Sequence, residues 1–160
     1  MRLDSGDNFG PASTAHFRPG QRETQPGQPH AGDLEISVIY TDGPGTEAAL
    51  QAAGVLAQDL RAHIRMVVAY EVPYALPLTQ PPVAVEFFEG KIRNLALQAR
   101  LDVDAQIFLC RDRKHILKSL LRPESVVVMG GKKRWWRTAA QKLARDCEEG
   151  GSRVIFIELR

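Results

Sequence analysis

The fold is decided by residues 34–60, which read LEISVIYTDGPGTEAALQAAGVLAQDL. The run begins with apolar residues typical of a buried strand, and a turn with two glycines and a proline follows. Beyond the turn, apolar residues recur at helical spacing: Ala49, Ala53, Leu56 and Leu60. That spacing places them in one stripe along a helix. The segment is therefore predicted to be a strand followed by a helix, the repeating unit of a parallel sheet.

The rest of the chain repeats this alternation of strand and helix. Four more apolar runs are predicted to be strands, at residues 64–70, 105–110, 125–129 and 153–159. Helices are predicted after Pro81-Pro82, over residues 113–121, and before the last strand. Right-handed crossovers between parallel strands leave few arrangements of such units. The predicted fold class is α/β, a three-layer, doubly wound, five-stranded parallel sheet with helices on both faces.

Length and composition indicate one folded domain with a tail. The chain has 160 residues, of which 44% are hydrophobic and 25% charged, as in an ordinary soluble domain. Residues 1–32 hold four of the ten prolines and five of the thirteen glycines, with no apolar period. We therefore predict a disordered tail over residues 1–32 and a folded domain over residues 33–160.

The apolar runs and the cysteines indicate the compartment. No apolar run approaches the roughly 20 residues that a membrane span needs, and the N-terminus lacks the apolar core of a signal peptide. Cys110 and Cys147 have no metal-binding spacing, so reduced thiols are expected and no metal site is predicted. These observations predict a cytoplasmic protein.

Positive charge is concentrated in one segment. The chain has a formal net charge of +2, yet residues 111–145 contain eleven lysines and arginines against Asp112 and Glu124 alone. Such charge asymmetry indicates a negatively charged binding partner. It carries no information about the fold.

Two turns at the predicted carboxyl edge of the sheet contain candidate ligand contacts. After the first strand, Asp42 and Gly43 open a tight turn in which Thr46 is the predicted N-cap and Asp42 is placed to accept hydrogen bonds from a ligand. The alternative is that this segment is only a turn. After the fourth strand, Gly130 and Gly131 would expose backbone amides to an anion.

Three consecutive cations follow those glycines: Lys132, Lys133 and Arg134. Together with the glycine amides, they predict a phosphate-containing ligand. The alternative is a solvated basic loop that binds nothing.

Four segments resemble the universal stress protein family, of the adenine-nucleotide alpha-hydrolase-like fold. Asp42-Gly43 resembles the V-D-G-S turn of the family, and residues 111–117 resemble its G-D-P-x-x-x-I-L segment, with arginine at the glycine position. Residues 126–130 resemble I-V-M-G, and residues 140–144 resemble S-E-K-L-L. The resemblance implies the strand order 3-2-1-4-5, counted along the chain, and a role in stress responses.

The chain departs from the family in its nucleotide motif. ATP-binding members have G-x-x-G, nine residues, and then G-S or G-T. Here Gly130 keeps the first position, Lys133 replaces the second glycine, and Arg137-Thr138 occupies the final pair. The resemblance therefore implies that the usual ATP cradle is lost. Any adenine nucleotide, ATP or AMP, is expected to bind weakly and atypically, through Asp42, Gly130, Gly131, Lys132, Lys133 and Thr138.

Three further features of the sequence are weaker candidates for a functional site: a glycine pattern after the first strand, two tryptophans and two histidines. Gly43-Pro44-Gly45 begins a G-x-G-x-x-A pattern with Glu71 as a ribose-binding acid, but Glu71 is too distant for a dinucleotide fingerprint. Periodicity assigns Trp136 to a buried stripe, which leaves Trp135 for stacking or, preferably, a partner surface. His63 and His115 have no nucleophile motif nearby and are interpreted as surface residues.

These observations lead to a function prediction with two alternatives. The leading prediction is a non-catalytic universal stress protein-like domain that acts through partner binding, with atypical or lost nucleotide binding. Family members commonly pair their last strand, so the resemblance implies a homodimer through residues 153–159. One alternative is a nucleotide-binding protein, even a slow ATPase, in which Lys132 and Lys133 replace the missing glycines. The other, nucleic-acid binding through the basic segment, is disfavoured.

Overall fold

The computed structural model describes residues 10–18, 34–134 and 138–160. Six strands are present in them: β1 (Ser13–Phe17), β2 (Glu35–Ile39), β3 (His63–Glu71), β4 (Val103–Cys110), β5 (Val126–Lys132) and β6 (Arg153–Leu159). Four helices accompany them: α1 (Gly43–Leu60), α2 (Val85–Ala99), α3 (Arg113–Leu120) and α4 (Ala139–Glu149). Every predicted strand and helix is therefore found. Trp135 and Trp136 lie outside the described residues.

The strands form one sheet in the order β1-β4-β3-β2-β5-β6. The neighbours from β4 to β6 pair in parallel, whereas β1 pairs with β4 antiparallel. The five predicted strands thus follow the implied order 3-2-1-4-5. The predicted count of five is wrong, because β1 adds a sixth strand at the β4 edge.

Strand β1 also corrects the prediction of a disordered tail. Residues 13–17 are ordered by contacts with β4 and α2: Ala12 N donates to Ile107 O over 2.7 Å and Ser13 Oγ to Glu89 Oε1 over 2.5 Å. Phe17 is buried, 5% exposed, beneath Arg93. An edge strand that buries only one of its own faces needs few apolar side chains, so no apolar periodicity marks it in the sequence. The rest of residues 1–32 lies outside the described residues, apart from residues 10–12 and 18.

Two cores lie on opposite faces of the sheet, as a three-layer architecture requires. On one face, α1 contributes Ala49, Leu50 and Ala53, and α2 contributes Phe88 and Ile92. The other core contains residues of the two remaining helices: Ile116 and Leu117 of α3, and Leu143, Ala144 and Cys147 of α4. The predicted stripe of α1 is buried at Ala49 and Ala53 and half-buried at Leu56, whereas Leu60 at its end is 45% exposed, so the predicted stripe is buried only in part. No helix in the described part of the chain is both long enough and apolar enough to cross a membrane.

Helix α1 approaches β5 closely where both elements carry glycine. A Cβ atom placed on Gly130 would lie 2.1 Å from Gly45 O, and one placed on Gly45 would lie 2.4 Å from Gly130 O. No real Cβ atom tolerates such a distance, so both positions require glycine for packing.

Candidate functional site

A cleft of about 420 Å³ lies at the carboxyl ends of β2 and β5. The chain leaves β2 toward β3 on one side and returns to β5 on the other, so this is the point where the strand order reverses. Ligands of doubly wound sheets bind at this place. Among the predicted site residues, the cleft is lined by Asp42, Gly131, Lys132 and Thr138. The structure therefore brings together four of the seven.

Asp42 begins α1 and holds the turn rigid. Its Oδ1 accepts a hydrogen bond of 2.6 Å from Gly45 N, which makes Asp42 the N-cap. The prediction of Thr46 as N-cap is wrong. Thr46 is fully buried in the first turn of α1, where its hydroxyl accepts a 3.0 Å hydrogen bond from Thr41 N. The Asp42 carboxylate lines the cleft while one of its oxygens is occupied by the helix.

Gly130 is not among the residues that line the cleft, and its backbone packs against the first turn of α1. Its carbonyl accepts a 2.6 Å hydrogen bond from Thr41 Oγ1, and its Cα packs against Gly45. Gly131 does line the cleft, and a Cβ there would lie 3.1 Å from both Ala140 Cβ and Phe156 Cζ. Packing between elements therefore explains Gly130, whereas at Gly131 a Cβ would be tight without being excluded. Gly43 occupies the first turn of α1 beside open space and is not among the lining residues.

The two lysines at the end of β5 point in different directions. Lys132 and Arg134 line the cleft, whereas Lys133 Nζ lies 3.7 Å from Glu158 Oε2 on β6. Lys133 N also donates to Leu159 O over 2.9 Å, which continues the pairing of β5 with β6. Successive side chains of an extended segment alternate between its two sides, so neighbours cannot both face the cleft. Lys133 is therefore not brought into the site.

Arg113 lines the cleft and was missed by the sequence analysis. It is the first residue of α3, whose N-cap Asp112 accepts a 3.3 Å hydrogen bond from His115 N. Glu71, at the end of β3, accepts a 3.0 Å hydrogen bond from Arg113 N and lies 3.9 Å from Arg113 Nε. The position of Arg113 in the sequence could have identified it, because it lies just after β4, at the same edge of the sheet as the predicted turns. The pairing of Glu71 also leaves the dinucleotide interpretation without its ribose-binding acid.

Thr138 begins α4 in a reciprocal capping arrangement. Its hydroxyl accepts a 3.2 Å hydrogen bond from Gln141 N, and Thr138 N donates to Gln141 Oε1 over 2.9 Å. Of the three helices whose N-caps or first residues line the cleft, α1 and α3 have aspartate caps and α4 has a neutral one. The start of α4 is therefore the helix terminus least repulsive to an anion.

Arg111 holds the loop between β3 and α2 in place. Its Nη1 donates to Val72 O over 3.0 Å and Pro73 O over 2.6 Å, and its Nη2 donates to Leu76 O over 2.8 Å. Its guanidinium also lies over the Tyr74 ring, 5.1 Å from the centroid. Arg111 thus holds the β3–α2 loop and is not among the residues that line the cleft.

The remaining candidate groups lie away from the cleft. His63 begins β3 at the opposite edge of the sheet, where it and His16 contact the Asp104 carboxylate. Burial raises the pKa values of Cys110 and Cys147 to about 11, so neither thiol is an activated nucleophile. In the described residues, no group of three or more histidines, cysteines or acids is arranged to hold a metal ion.

Comparisons with known proteins bear on the fold alone. No protein-family model matches the chain, and no curated protein matches it significantly. Among solved structures, a universal stress protein from Archaeoglobus fulgidus superposes with a TM-score of 0.53 at 13% identity, covering 78% of this chain and 93% of that one. A universal stress protein in complex with cAMP gives a TM-score of 0.48 at 14% identity, covering 81% and 98%. The chain has a universal stress protein-like fold, as the sequence resemblance implied.

Proposed function

We propose that this universal stress protein-like domain is a non-catalytic binder of a phosphate-bearing ligand, in the class of the adenine nucleotides. The observation that carries the proposal is the convergence of Arg113, Lys132 and Arg134 on the cleft at the switch point of the sheet. They come from the start of α3 and from the end of β5, segments more than ten residues apart that only the fold unites.

Side-chain cations would replace the missing glycine cradle. Gly130 and Gly45 pack against each other, and the Gly130 carbonyl is already hydrogen-bonded, so this backbone has no freedom to wrap a phosphate. A charge-assisted hydrogen bond contributes about 1.5–3 kcal/mol, more than the roughly 1 kcal/mol of a neutral amide. Two or three such contacts would hold a phosphate without a glycine loop.

The adjacent lysines supply a matched test by calorimetric titration with ATP, ADP and AMP. Lys132→Ala removes a cleft cation and is expected to weaken binding by roughly tenfold or more. Lys133→Ala removes the same charge one residue away, outside the cleft, and is expected to leave affinity nearly unchanged. Equal losses in the two variants, or no binding by the unaltered protein, would contradict the proposal.

The proposal of no catalysis is supported by the chemistry of the cleft. Asp42 is the one carboxylate among the described lining residues, and its Oδ1 caps α1. No histidine or cysteine belongs to that lining set. The slow-ATPase alternative predicts release of inorganic phosphate from ATP that stops in Asp42→Asn. Absence of release above the background of ATP alone would support a binding role.

A second role, as a homodimer, is favoured by the exposed edge of the sheet. Strand β6 pairs with β5 on one side only, its outer side has no neighbour among the described strands, and Ile155 on it is 41% exposed. Strand β1 covers the opposite edge, which leaves β6 for pairing with a second copy.

Nucleic-acid binding receives less support from the positions of the basic residues. Several are paired with acids: Lys114 lies 3.4 Å from Asp146, and Arg145 lies 3.4 Å from Glu149. Such pairing reduces the field that phosphates along a strand would feel. Steep salt dependence of binding to a single-stranded oligonucleotide would argue for this alternative.

A further inference from the structure

We propose that Arg113 makes the cleft selective for a dianionic terminal phosphate over a phosphodiester. This inference rests on the proposed function and specifies the ligand class that the same cleft takes. It assigns Arg113 as a specificity-determining residue and Glu71 as the group that positions it.

Arg113 is held in place by Glu71, yet the Nε donor of its guanidinium remains without a hydrogen-bond acceptor among the described residues. Glu71 Oε1 accepts a 3.0 Å hydrogen bond from Arg113 N, which fixes the start of α3. The same oxygen lies 3.9 Å from Nε, close enough for an ion pair but too far for a hydrogen bond. Nε is shielded from solvent and has no hydrogen-bond acceptor among the described residues. A shielded guanidinium donor left without an acceptor favours an anion beside it.

The lining charges match a dianion. The charged residues among the described lining set are Arg113, Lys132, Arg134 and Asp42, a net formal charge of +2. A terminal phosphate carries nearly two negative charges at neutral pH, because its second pKa is about 6. A phosphodiester carries one and leaves a cation uncompensated. Arginine can also bind two oxygens of a terminal phosphate at once, since its donors form a planar fork.

Glu71 positions Arg113 and moderates its charge. Its carboxylate is 47% exposed and Arg113 is 35% exposed, so both reach the solvent at the rim of the cleft. Glutamine at this position would keep an oxygen that accepts from Arg113 N while removing the competing negative charge. Glu71→Gln is therefore expected to tighten binding of a dianion severalfold.

The test is calorimetric titration with a matched ligand pair, AMP and its phosphate methyl ester. The two share base and ribose and differ in one phosphate charge. The unaltered protein is expected to bind AMP about tenfold more tightly than the ester, as expected for one lost charge-assisted contact. In Arg113→Gln this preference should fall to about twofold or less, whereas in Lys133→Gln it should persist.

The outcomes separate the two proposals. If neither ligand binds, the proposed function fails. If both bind equally, or if Arg113→Gln keeps the full preference while circular dichroism shows an intact fold, the cleft binds phosphate but the role of Arg113 is wrong. Weaker AMP binding by a folded Glu71→Gln protein would also overturn the role given to Glu71.

Discussion

The carbonyl oxygen of Gly45 occupies the space where a side chain of Gly130 would begin, since a Cβ on Gly130 would lie 2.1 Å from it. This contact joins the first turn of α1 to the end of β5. The packing supplies a sufficient reason for glycine without any ligand.

Gly130→Ala is therefore expected to destabilise the fold. The clash is with backbone atoms, which cannot move as a flexible side chain would, so a loss of about 1–3 kcal/mol or more is expected. The midpoint of urea unfolding measures it. Gly43→Ala is the control, because a Cβ at Gly43 meets nothing within 4 Å. An equal stability of the two variants would refute the packing explanation.

The Asp104 cluster is expected to make stability depend on pH. Burial by itself would raise the pKa of Asp104, but hydrogen bonds and charges from His63 and His16 outweigh it and hold this pKa below 3.8. A carboxyl with a lowered folded pKa contributes stability that is complete above its unfolded value and lost as the pH falls through the folded value.

Unfolding of the unaltered protein and Asp104→Asn should therefore be compared across pH. The difference in unfolding free energy is expected to be complete above about pH 5 and to shrink toward about pH 2. Asp102→Asn alters an exposed acid two residues away and serves as the control. A difference that stays constant with pH would show that the cluster contributes through packing instead of charge.

Ile155→Lys is expected to give a monomer. A charged side chain on β6 would be brought close to its own copy across a twofold strand pairing, which is a known way to block edges. Sedimentation velocity of the unaltered protein and the variant provides the measurement. Val55→Lys is the control, since Val55 is 66% exposed on α1 and lies off the strand edge. If the variant sediments as the unaltered dimer does, the pairing through β6 is rejected.

Arg111→Ala is expected to loosen the β3–α2 loop while leaving the cleft intact. Three hydrogen bonds from one guanidinium to Val72, Pro73 and Leu76 carbonyls would be lost. The amides of Leu76 and Gln80, which donate to Pro73 O and Pro77 O in successive turns, should then exchange faster with deuterium. Arg122→Ala removes an equivalent charge elsewhere. Unchanged exchange at Leu76 would show that the loop is held by its own turns.

The parallel sheet could be predicted because its strands and helices are encoded locally. Apolar runs and stripes of period 3.6 depend only on neighbouring residues, so all five parallel strands were located without a structure. Strand β1 could not be predicted in this way. Strand β1 is held in place by contacts with Glu89, Asp104 and Ile107. These residues lie far along the chain, so their contacts leave no pattern in the sequence of β1 itself.

The candidate site was predictable only in part, for the same reason. The turn at Asp42 and the basic run after Gly131 could be located from sequence, because each directly follows a strand. The choice of Lys132 over Lys133 depended on where β5 ends and which way each side chain points. The roles of Arg113 and Gly130 depended on neighbours that the fold alone supplies, Glu71 and Gly45. Local periodicity thus determined the strands and helices. Contacts between residues distant in sequence decided which side chains line the cleft, because the packed sheet, and not the spacing along the chain, sets which residues lie close together.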